Sequence, residues 1–242
     1  MTRNNDIIGV VSQGTSINEG LRSYMLKIYN YMAGGIAVTA LVAMLVAGSP
    51  AMMQAIFGTP LKWAVLLAPF ILVFYMSAKI TTMSKQAAQT CFWGYSALMG
   101  VMLSSIIALY MGMGSGAMLA RAFFITSGTF AGLSIVGYTT KRDLTGMGSF
   151  LMMGLWGIIL ASLVNMFLKS SGLEFALSII SVLVFTGLTA FDTQRLKQLY
   201  LQTGGSVASN ENIAIMGALR LYMDFINLFL AILRIMSSAS RR

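Results

Sequence analysis

The chain has no histidine, a single cysteine (Cys91), three prolines and only seven acidic residues in 242. The missing histidine removes imidazole proton relays, haem ligation and most zinc sites together. One cysteine allows no internal disulfide. Charged residues make up only 10% of the chain while 57% is hydrophobic, whereas soluble domains are about a quarter charged. No Walker A spacing occurs, so the chain carries no pump-type ATPase motif. Strand-type alternation is also absent, which argues against an outer-membrane barrel.

What is present are apolar blocks of membrane-crossing length, about 20 residues being needed for a helix to span the hydrocarbon. They fall at about 30–48, 61–78, 88–111, 118–138, 147–168, 173–191 and 213–236, separated by Gly48-Ser-Pro50, Thr59-Pro60, Gly112 to Gly116, Lys141-Arg142-Asp143, Ser170-Ser-Gly172 and the polar stretch Thr193 to Asn212. The expected architecture is an all-α membrane protein of seven transmembrane helices. It comprises a polar cytoplasmic segment 1–27, a membrane domain 28–236 and a basic tail 237–242. With residues 1–27 polar, no cleavable signal is expected.

The net charge of +9 is spread as singles and pairs at segment ends, a pattern that meets lipid headgroups and sets topology, not one that binds nucleic acid. An N-terminus in the cytoplasm puts Arg3, Arg22, Lys27, Lys79, Lys85, Lys141, Arg142, Arg195 and Lys197 on one side and Lys62, Arg121 and Lys169 on the other. Arg234, Arg241 and Arg242 run against this if the last segment crosses; a re-entrant last segment would return them. The length of 213–236 favours crossing. Gly128 with Gly132, and Gly154 with Gly157, are small-residue pairs suited to close helix packing.

Two of the seven acids sit at membrane depth. Asp192 closes the sixth segment in Ala190-Phe-Asp192-Thr-Gln-Arg195, and Asp224 lies inside the seventh in Arg220-Leu-Tyr-Met-Asp224. Keeping such a group at a helix centre costs about 2.5–3.5 kcal/mol on insertion scales, so each is a functional candidate. Side by side, two carboxylates cannot both ionise cheaply and share a proton. Such a pair is a latch, bridged when protonated and repelling when ionised. Arg220 and Arg195, four residues before Asp224 and three after Asp192, are cations that would turn the latch into a clasp. Asn227 and Asn165 are further polar groups in the last and fifth segments. Other intramembrane chemistries lack their parts: Tyr222-Met-Asp224 is not the Gly-x-Gly-Asp of intramembrane aspartyl proteases, a Ser–His pair is impossible, and the last segment has no lysine for a retinal Schiff base. With no nucleophile–base pairing in view, an enzyme is not expected.

The stretch Ala218-Leu-Arg-Leu-Tyr-Met-Asp-Phe-Ile-Asn-Leu-Phe-Leu-Ala-Ile-Leu-Arg234 resembles the C-terminal signature of the transmembrane Bax inhibitor motif family, bacterial branch. Phe191-Asp192-Thr-Gln, Tyr95 to Gly100, and Phe123 onward to Leu144 support the resemblance, which runs from about Leu21. It implies seven helices with the final one central and wrapped by the other six, in the bacterial inner membrane. It also implies a pH-sensitive calcium leak in which Asp192 and Asp224 form the gate and bind calcium transiently, with no resident cofactor. In leak members of the family an arginine near the start of the third helix engages the acidic pair; here Lys79 and Lys85 occupy that neighbourhood and Arg220 is an added cation. Other members restrain a membrane-embedded AAA protease without conducting, which is the alternative expectation.

Overall fold

The structure, a computed structural model, describes the backbone of residues 2–240 and the side chains of residues 18–207 and 210–240. Met1, Arg241 and Arg242, and hence the end of the expected basic tail, lie outside it, as does the side chain of Arg3. Among the described residues there are eight α-helices and one 3₁₀ turn, with no strand: α1 Thr2–Ala47, α2 Pro50–Phe57, α3 Leu61–Lys79, α4 Lys85–Gly112, α5 Gly116–Thr139, α6 Thr145–Leu168, α7 Ser171–Gln202, the 3₁₀ turn Ser206–Ser209, and α8 Glu211–Ser240. Seven stretches are long and apolar enough to cross a membrane: Asn18–Ala47 of α1 and the whole of α3 to α8. All seven expected segments are found. The short α2 was not expected; Ser49 accepts a hydrogen bond from the Met52 amide and Pro50 opens the helix, a start signal that outweighs its small length.

Local chemistry sets the boundaries. Ser84 and Ser170 accept from the amides of Ala87 and Leu173 and so begin α4 and α7. Lys169 ends α6 in a left-handed conformation. Gly204 and Gly205, both with positive φ, let the chain reverse between α7 and α8.

The first helix differs from expectation at its start. Leu21, Tyr24, Met25 and Ile28 repeat at helical spacing and are buried, ahead of the apolar block expected from about residue 30. Tyr24 stacks on Tyr200 near the end of α7, ring centroids 5.5 Å apart. Leu21, Tyr24 and Met25, inside the segment expected to be polar, therefore belong to the packed core.

The last helix is the most buried of the seven spans. It packs chiefly on α1, α4, α5 and α7, while α3 and α6 lie mainly against α4 and α7. The enclosure of the final helix thus comes mainly from four neighbours. The outer helices turn Trp63, Phe70, Phe74, Trp156 and Phe167 outward, at no cost where the surroundings are hydrocarbon. Helix α8 runs unbroken from Glu211 to Ser240, about 45 Å at helical rise. It carries Arg234 to the end where Ser171 and Glu174 begin α7, and these residues share one cavity. The helix is long and apolar enough to cross a membrane and has no re-entrant break.

Gly137 and Gly217 are two of several glycines at close approaches, both against the stretch of α7 around Asp192. A Cβ on Gly137 would fall 2.3 Å from the Ala190 carbonyl oxygen, and one on Gly217 2.8 Å from Leu196. Gly128, Gly132 and Gly157 have nothing within 4 Å of that position, and Gly154 touches only Val184. The expected packing pairs are thus largely lipid-facing, and close packing falls to Gly137 on α5, against the turn of α7 that carries Asp192.

Candidate functional site

Helices α7 and α8 form an antiparallel hairpin. Asp192 lies ten residues before the end of α7 and Asp224 thirteen after the start of α8, so their heights differ by only about 5 Å at 1.5 Å per residue. The close approach at Gly217 brings the facing sides together, and the two carboxylates lie within side-chain hydrogen-bonding reach of one another.

Their surroundings differ. Asp224 is 5% exposed and its Oδ2 makes no hydrogen bond among the described residues. Asp192 is 14% exposed at its side chain, and its Oδ1 stands 3.9 Å from Arg220 Nη1. Both Arg220 and Arg195 act on Asp192 electrostatically. Arg220 is 38% exposed, so it approaches the outer carboxylate from the rim and does not sit between the two. Thr193, next to Asp192, is fully buried and its hydroxyl is also unpartnered.

A cavity of about 470 Å³ opens above the pair, lined by Asp192, Arg195, Gln198, Gln202, Met216 and Arg220. Asp224 lies behind Asp192, away from the lining. Farther along the hairpin the interface is apolar, with Phe185 and Leu188 of α7 and Leu228 and Ile232 of α8 in one buried cluster. The order from the open side inward is a cation rim, a mostly shielded carboxylate, a buried carboxylate and a dry layer.

The other expected cations do not join this site. Lys85 Nζ bonds Glu211 Oε2 at 2.6 Å; Tyr31 donates to the other oxygen of Glu211 at 2.7 Å, and Gln89 bonds Tyr31. That network ties α1, α4 and the start of α8 together. Lys79 is exposed at the end of α3. Asn227 is exposed and spends its amide on the Met223 carbonyl, and Asn165 accepts from the Ser170 amide at a helix end, so neither polar group reaches the acids.

Sequence reasoning missed a second buried polar knot beside Asp224. The Tyr222 hydroxyl lies 2.6 Å from Thr39 Oγ1, which also contacts the carbonyls of Gly35 and Ser96. A single Thr hydroxyl proton is shared between the carbonyls, so Tyr222 is the donor to Thr39. Gln194 was missed too. It accepts from the Leu144 amide and donates to the Arg142 carbonyl, pinning the α5–α6 loop to α7 two residues after Asp192. The Phe191-Asp-Thr-Gln run was its only sequence signal.

Among the described residues no group of three or more metal-type side chains is assembled. The two carboxylates are suited to passing contact with a hard cation, since calcium takes oxygen ligands.

A family model described as Inhibitor of apoptosis-promoting Bax1 matches residues 21–241. The inner membrane protein YbhL of Escherichia coli K12 is 45% identical over 218 residues, covering 89% of this chain and 92% of the relative. An uncharacterized protein of Rickettsia prowazekii is 43% identical over 227 residues, 94% of each chain. An uncharacterized membrane protein of Streptococcus pyogenes is 35% identical over 224 residues, 91% of this chain and 95% of the relative.

Proposed function

The chain belongs to the Bax inhibitor-like family, and from that premise we propose that it is a pH-sensitive cation leak of the inner membrane, with calcium as cargo. The observation that carries the proposal is the pairing of a buried, incompletely bonded Asp224 with Asp192 beneath an open cavity. A membrane protein retains such a pair at a cost, and its use is as a switch. With one shared proton the carboxylates hold α7 to α8. With both ionised they repel, and their oxygens become available to a cation arriving through the cavity. Arg220 and Arg195 at the rim raise the barrier to cation entry while the latch is closed. Inner-membrane placement follows the name of the Escherichia coli relative and the seven apolar helices.

The competing reading is a non-conducting modulator of a membrane-embedded AAA protease. The N-terminal residues 2–17 of α1 offer it a handle. Reconstitution in liposomes loaded with a calcium dye separates the two. The leak reading expects flux that rises with pH and loses that dependence in Asp224→Asn. Absence of flux, together with co-purification of a protease that is lost on deleting residues 2–17, supports the modulator.

A further inference from the structure

We infer that the furrow between α1 and α5 is a binding site for one acyl chain and the headgroup of an anionic glycerophospholipid. The two helices are not a principal packing pair; α8 floors the gap between them through Phe225. The void is about 730 Å³ and is walled by Met25, Met32, Phe130, Ala131, Ile135 and Phe225. It continues, through Ile36, Phe123 and Phe225, into a second of about 690 Å³ running toward Gly48. These walls are apolar and open to the hydrocarbon, where only a lipid chain matches them; water has no partners there.

Two observations fix the occupant's chemistry. Ser134 lines the furrow, is 6% exposed, and its hydroxyl makes no hydrogen bond among the described residues. A free donor at that position suits an ester carbonyl at the head of an acyl chain. The mouth one turn beyond it is cationic. Arg22 lines the furrow beside Tyr138, Lys197 Nζ sits on the Tyr138 carbonyl at 2.6 Å, and Lys141 and Arg142 follow three and four residues after Tyr138. The acid of that loop, Asp143, is engaged by the amide and hydroxyl of Thr145. Glu19 and Glu211 face the polar cavity on the other side of Arg22, and Glu211 is taken by Lys85. The mouth therefore complements a phosphate.

The test is native mass spectrometry of the full chain in detergent, titrated with dioleoyl phosphatidylglycerol or dioleoyl phosphatidylcholine. Wild type is expected to retain one phosphatidylglycerol in preference to phosphatidylcholine, weakened about fivefold for each of Arg22→Ala and Lys141→Ala. Ala131→Trp, which fills the furrow, abolishes retention, while Met153→Trp on the exposed face of α6 leaves it unchanged. Ser134→Ala, which removes one hydroxyl and keeps the packing, lowers retention of the ester lipid about two- to tenfold but not of its ether-linked analogue. Equal retention of the two headgroups, wild-type binding by Ala131→Trp, or a dimer mass that Ala131→Trp dissolves, as when a second copy fills the furrow, overturns the inference.

Discussion

The contact between Asp192 and Asp224 can be measured as a coupling energy. Asp224 is buried with one carboxylate oxygen unpartnered. Asp224→Asn keeps its shape, removes the buried acid and supplies an N–H that Asp192 accepts. Measured where both acids are ionised, replacing their repulsion by an amide–carboxylate hydrogen bond is worth about 1–3 kcal/mol, so the single variant is expected to be stabilised there by about 2 kcal/mol. At about 2–4 °C per kcal/mol for a chain of this size, the melting temperature rises by about 4–8 °C. Asp192→Asn has two opposed effects. It relieves Asp224, but it also discards the 3.9 Å contact with Arg220, which at that guanidinium's exposure is worth about 0–1 kcal/mol. After Asp224→Asn only the loss remains. The cycle should therefore be non-additive by about 1–2 kcal/mol. Cys91, the lone and partly buried cysteine, provides the assay: a thiol-reactive fluorophore reports thermal unfolding of the detergent-solubilised protein. Additivity within about 0.3–0.5 kcal/mol would show that the carboxylates do not act on each other, and the latch would have no physical basis.

Gly137→Ala drives a methyl into the Ala190 backbone at 2.3 Å and is expected to cost about 1–3 kcal/mol, whereas Gly128→Ala meets nothing and should be neutral or gain up to about 1 kcal/mol of helix propensity; paired melting curves distinguish them. Thr39→Val leaves the buried Tyr222 hydroxyl without its acceptor and should cost about 1–3 kcal/mol, more than Tyr222→Phe at about 0.5–1.5 kcal/mol, since Thr39 keeps its carbonyl contacts; the reverse order in the same assay would misplace the donor. The hydroxyl and amide of Thr145 hold the Asp143 carboxyl below the usual carboxylate range. A depressed folded-state pKa contributes stability above the unfolded value, lost as pH falls through the folded one. Asp143→Asn should therefore alter melting temperature only relative to the acid limb, flattening the decline below about pH 4 and leaving the shape of the profile between pH 6 and 8 unchanged.

Reading the chain residue by residue found the helices but assigned several of their faces wrongly. In a membrane both the lipid side and the packed side of a helix are apolar, so hydropathy marks length and says little about direction. That is why Gly128 and Gly132 looked like packing residues and Gly137 did not, and why Leu21, Tyr24 and Met25, set among Arg22, Ser23 and Lys27, read as part of a polar segment. Lys85 was placed near the acids by the family resemblance, which puts a cation at the start of the third helix beside them. Its partner Glu211 opens another helix 126 positions later, and nothing local links the two.

By itself the sequence determined the seven spans, the breaks at Ser170 and Gly204-Gly205, the scarcity of acid and the two aspartates kept at depth. Each follows from hydropathy, capping or turn chemistry acting over a few residues. The tertiary structure decided the rest. The α7–α8 reversal and the fit of Gly217 against Leu196 set Asp192 and Asp224 at nearly one height. Side-chain reach left Arg220 at the rim of Asp192 and not between the carboxylates, and packing left a gap between α1 and α5 that Phe225 of α8 lines. Contacts between residues on different helices, 21 or more positions apart here, depend on helix register and rotation, which local energetics leave open and only the packed bundle fixes.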